Sequence, residues 1–103
     1  MIEVYSSQYC IEIHGHARYD VPGRDIVCAA VSALICTLCI AMEKERCQGH
    51  LKQLESCSKS GFARVWAPPI SAYEPRVALL FEAVLSGLEA LAEEYSEYIK
   101  IFS

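Results

Sequence analysis

Basic residues are scarce: 9 Lys and Arg stand against 13 Asp and Glu in 103 residues, for a net charge of −4. Nucleic-acid binders displace counterions with a basic patch, so the shortage argues against DNA or RNA as a partner. The acidic cluster Glu89, Glu93, Glu94 and Glu97 makes a basic protein the electrostatically easier one. No export leader is expected either, because "MIEVYSSQYC" alternates like a strand and has neither a basic nor a long apolar region. The six cysteines (Cys10, Cys28, Cys36, Cys39, Cys47, Cys57) are therefore expected as reduced thiols in a cytoplasm, not as a disulfide framework. There is no low-complexity tract or linker, and 53% of the residues are apolar, which predicts one folded domain over residues 1–103. Charge is absent from Ile26 to Met42, 17 residues at the short limit for a membrane span. The small residues in this run favour a core helix and no membrane insertion.

Residues 2–5 and 9–14 show period-two patterning, which predicts a β-hairpin turned at Ser6, Ser7 and Gln8. Gly15, Asp20, Pro22 and Gly23 then supply turn chemistry, and Asp25 is a favoured cap for a helix running to about Glu45. Residues 50–57 and 62–67 predict a second hairpin around Ser58, Lys59, Ser60 and Gly61. Glu74 and Pro75 open a second helix, in which Val77, Leu80, Phe81, Val84, Leu88, Leu91 and Tyr95 recur at helical spacing. The tail "YIKIF" offers a last strand. The expected fold is α+β, a ββαββα(β) two-layer sandwich with two helices on an antiparallel sheet.

With Asp25 as N-cap, Cys28 falls at the third helical position, where unpaired N–H groups and the helix dipole favour an anionic sulfur. The competing reading is a small buried apolar residue, the commonest fate of a free cysteine. His16 ends the second strand, and the loop Ala17 to Arg24 is short enough to bring its imidazole back to the helix start, where base and thiolate would meet. His14 shares the face of His16 if the strand is regular, so His14, His16 and Cys28 also make a three-ligand zinc reading, with Asp20 the only spare carboxylate. Cys36 and Cys39 form a C-x-x-C, but one buried deep in a helix with both thiols toward the core, and Cys10, Cys47 and Cys57 read the same way. Ser32 lies one turn beyond Cys28, facing the site or bonding back to the Cys28 carbonyl.

The stretch "GHARYDVPGRDIVCAAVSAL", residues 15–34, resembles the signature of the ribosomal-processing cysteine protease family Prp, also called YsxB-like. The resemblance joins a Gly-His-Ala, a variable loop and "DIVCAAVSAL", with Cys28 following His16 by 12 residues. It implies a cytoplasmic, homodimeric bacterial endopeptidase that removes the N-terminal extension of the twenty-seventh protein of the large ribosomal subunit. No metal or cofactor is implied. Cys28 becomes the nucleophile and His16 the base and acid. Gly15, Asp25 and Ser32 match supporting positions, and the loop with Tyr19 and Gly23 becomes a cover ordered by the peptide. Backbone N–H groups at the helix start are the expected oxyanion donors. A phage capsid or scaffold protein is the alternative substrate, and a non-catalytic ribosome-assembly protein the alternative role.

Overall fold

Strands β1 (Ile2–Ser7) and β2 (Cys10–His14) form the first hairpin of the computed structural model, which describes residues 1–103. Ser7 pairs with Cys10, so Ser6 and Ser7 belong to the strand and the turn shrinks to Gln8 and Tyr9, with Tyr9 at a left-handed φ of 57°. The second hairpin, β3 (Glu55–Lys59) and β4 (Phe62–Trp66), turns on Ser60 and Gly61 alone, Gly61 at φ 77°. The strand expected from residue 50 begins only at Glu55. Residues 50–52 instead bond to the Pro68–Ile70 segment, where two prolines without N–H groups allow no more than an isolated bridge from Leu51 to Pro69.

Helix α1 spans Ile26–Cys47 and helix α2 Glu74–Glu94, the latter entered through a single 3₁₀ turn at Ser71–Tyr73 with proline in its first turn. A last strand, β5 (Ile99–Phe102), completes a sheet in the order β3-β4-β2-β1-β5. The α+β sandwich is as expected, and β1 to β4 pair antiparallel, but β5 runs parallel to β1. Helix α2 carries the chain back to the end of the sheet where β4 began, so the strand after it runs with β4, and β4 runs with β1.

One face of the sheet (Ile2, Val4, Ile11, Ile13, Ala63, Val65, Ile99) meets Val27, Val31, Ile35, Leu38 and Met42 of α1 and Val77, Phe81, Val84 and Leu88 of α2. Gly87 lets the helices approach, since a β-carbon there would stand 3.0 Å from Leu34 Cδ2. Glu45 is the one buried charge; it accepts from Arg76 Nε at 2.7 Å and pairs with His50 Nδ1 at 3.0 Å, tying the end of α1 to the start of α2.

Helix α1 is long and apolar enough to cross a membrane, and only one of its faces enters this core. Ala29, Ala33, Cys36 and Ile40 point outward. Cys36 is therefore exposed, not core-facing, because the buried positions follow a 27-31-35-38-42 stripe that Cys36 misses. Cys39 does pack beside the core. Cys10 is buried, whereas Cys47 and Cys57 are exposed, contrary to their expected burial, because one closes the helix and the other lies on an edge strand.

Candidate active site

The strand β2 stops at His14 because Gly15 takes φ 91°, a conformation open to glycine but strained for other residues. A β-carbon at Gly15 would also collide with the Met1 carbonyl oxygen, while the Met1 nitrogen donates to the His16 carbonyl at 2.7 Å. The break sends the two histidines to opposite sides of the sheet. His14 stays on the open face, 3.0 Å from Glu12 and edge-on to Tyr5 and Phe62. His16 turns toward the helices and lines a cleft of about 740 Å³ together with Cys28, Asp25, Ser32, Gly23 and Ser60. The regular-strand expectation, which put both histidines on one face, is thus corrected. No three His, Cys, Asp or Glu side chains stand close enough to hold a metal.

Asp25 caps α1, its Oδ1 accepting the Cys28 N–H at 2.9 Å. Its Oδ2 reaches back into the loop, accepting from Tyr19 N–H at 2.9 Å and Asp20 N–H at 3.4 Å. Partial desolvation pulls the Asp25 carboxyl upward, but these backbone donors outweigh it and hold the group below its ordinary value. One carboxylate therefore fixes both the helix start and the loop that covers it.

The Cys28 sulfur, half-buried at the third helical position, accepts from the Ala17 N–H at 3.3 Å. The N–H groups of Cys28 and Ala29 are already bound to the side chain and carbonyl of Asp25. The expected oxyanion donors nearest the sulfur are thus engaged, and the amide aimed at the reacting atom comes from the loop. Burial pushes the Cys10 thiol up, which favours its protonated form. Ser32 is exposed and faces the cleft beside Cys28.

The loop Ala17 to Arg24 is held at two further points. Ala17 is buried in the core, and the Tyr19 ring meets Tyr95 and Tyr98 edge-on at 5.8 and 5.2 Å. Arg18 between them takes a left-handed φ of 58°, and Gly23 one of 89°. Sequence reasoning missed Tyr95, Tyr98, Ser60 and Gly61 as neighbours of this site, since each reaches it from a distant part of the chain. The β3–β4 turn forms one wall: the Gly61 carbonyl accepts the Gly15 N–H at 2.9 Å, and Ser60 borders the cleft.

The family profile described as "Cysteine protease Prp" matches residues 2–100. A Mycoplasma genitalium protein named ribosomal processing cysteine protease Prp is 30% identical over 101 residues, covering 98% of this chain and 94% of that one. A solved Streptococcus mutans structure aligns with a TM-score of 0.71 and 30% identity over 98% of this chain and 91% of its own. A structure of the S. aureus Prp with a covalently linked product peptide aligns with a TM-score of 0.69, at 19% identity, over 97% and 94% of the two chains.

Proposed function

The chain belongs to the Prp family of cysteine proteases, and from that premise we propose that it cuts a precursor peptide with Cys28 and His16 as a catalytic dyad. The observation that carries this reading is the Ala17 N–H donated to the Cys28 sulfur at the start of α1, in the cleft that His16 also lines. A thiolate there attacks the scissile carbonyl carbon, the C–N bond breaks, and His16 protonates the leaving amine. His16 then takes a proton from water, which attacks the thioester, and release of the carboxylate product restores the thiol. The Ala17 N–H is the nearest donor for the oxyanion in both steps. Asp25 serves as cap and loop anchor, outside the proton transfers. The covalent product peptide in the S. aureus relative agrees with such an intermediate.

The substrate we assign is the N-terminal extension of the twenty-seventh protein of the bacterial large ribosomal subunit, in the cytoplasm where that precursor is made. The relative's ribosomal-processing name supports it, and so does the charge of −4, which suits a basic ribosomal protein better than a nucleic acid. We also assign a homodimer, whose support is the outward apolar face of α1, with Ile40 61% and Ile26 53% exposed. Incubation with the host's precursor protein tests the activity: a shortened product is expected from the wild type and none from Cys28→Ala. Intact precursor with wild type, or undiminished cleavage by Cys28→Ala, would overturn it. Oxidative cross-linking through Cys36, placed mid-face on α1, tests the dimer.

A further inference from the structure

We propose that Gly61, in the β3–β4 turn, is a positioning residue for His16, setting where the imidazole sits above Cys28's end of the cleft. This rests on the dyad reading above. Two contacts made by one residue support it. The Gly61 carbonyl accepts the Gly15 N–H at 2.9 Å, fixing the backbone immediately before His16. Its bare α-carbon lies against the ring itself: a β-carbon would stand 3.0 Å from His16 Nε2, 3.6 Å from Cδ2 and 3.7 Å from Cε1. The imidazole thus rests on a glycine surface that any side chain would fill, and the nitrogen is the atom pushed first. Ser58, Lys59 and Ser60 of the same hairpin border the smaller cavity that His16 and Cys28 also line. The second hairpin is thereby a part of the active site, not only an edge of the sheet.

The molecule carries its own control. Gly49 has φ 78° against 77° at Gly61, yet nothing lies within 4 Å of a β-carbon at Gly49. Gly49→Ala and Gly61→Ala therefore both place an alanine at nearly the same positive φ, and only the second touches His16. The primary readout needs no substrate: the rate at which iodoacetamide labels Cys28, followed by peptide mass analysis across neutral pH. Wild type and Gly49→Ala should label alike, whereas Gly61→Ala should label about tenfold more slowly and with an altered pH profile, since catalytic groups lose rate steeply on small displacements. Gly61→Asn, better tolerated at positive φ but carrying the same β-carbon, should repeat the defect with a smaller loss of melting temperature. On the precursor protein, kcat should fall by a similar factor with KM unchanged.

Wild-type labelling by both Gly61 variants, or an equal loss in Gly49→Ala, would overturn the proposal. The control for the underlying reading is His16→Ala. If it labels as fast as wild type, the dyad itself fails and the positioning role with it. If it labels slowly while the Gly61 variants do not, only the role of Gly61 fails.

Discussion

Replacing Asp25 by alanine and by asparagine separates two tasks that one carboxylate performs. Alanine removes the cap on the Cys28 N–H, worth about 1 kcal/mol, and the acceptor for Tyr19 and Asp20. The loop bonds are solvent-exposed and one is long at 3.4 Å, so together they add about 1 kcal/mol more. At about 4–8 °C per kcal/mol for a domain of this size, Asp25→Ala should melt about 10 °C lower. Asparagine caps as well as aspartate but keeps only one acceptor oxygen, so Asp25→Asn should lose about half as much. Both variants free the loop, and trypsin should cut after Arg18 about fivefold faster in each. The pH dependence follows from the direction of the shift. A carboxyl held below its ordinary value stabilises the fold fully above that value, and the contribution is lost as the pH falls on through the lowered value of the folded state. The gap in melting temperature between wild type and Asp25→Asn, open at pH 7, should narrow as the pH falls below the ordinary carboxylate value. Equal melting losses for Ala and Asn, with no change in trypsin cutting for Asn, would refute the division of labour.

Tyr19→Ala removes two edge-on ring contacts worth about 1 kcal/mol together at this exposed site, and should speed trypsin cutting after Arg18 and Arg24 severalfold while lowering the melting temperature by about 5 °C. Glu45→Gln should cost about 2 kcal/mol by equilibrium urea unfolding, discounted for the exposure of Arg76. Chiefly because Arg76 holds Glu45 below its ordinary value, the difference should shrink as the pH falls through the carboxylate range. Iodoacetamide at neutral pH should modify Cys28 before Cys10, whose burial keeps it protonated; faster labelling of Cys10 would contradict the site assignment. Gly15→Ala, strained at φ 91° and blocked by the Met1 carbonyl, should abolish precursor cleavage and lower the melting temperature, as circular dichroism would record.

Much of this architecture is legible along the chain because its cues are local. Period-two runs mark β1, β2 and β4, helical spacing marks α2, and Asp25 marks the start of α1 at the expected residue. Cues fail where local periodicity competes with something distant. The uncharged run of α1 has no polar stripe to say which face is buried, so Cys36 reads as core when it is exposed. His14 and His16 share a face on paper, and only the left-handed turn at Gly15 parts them. Gly61 reads as simple turn chemistry, since its contact with a histidine on another hairpin has no signature in its own neighbourhood. The loop's docking on Tyr95 and Tyr98 is equally silent, because tyrosines at the end of an amphipathic helix look like ordinary packing.

The parallel pairing of β5 with β1 sets an order of events during folding. Ile2 pairs with Ile99, and the Ile2 N–H is held by the Tyr98 carbonyl, so nearly the whole chain must close into a loop before that edge forms. The same late segment carries Tyr95 and Tyr98, on which the cover over Cys28 rests. Until residues 95–102 dock, the ring of Tyr19 has no seat beside the cleft. The cap that places Cys28 is therefore local, whereas the seat of its cover depends on the longest closure in the fold.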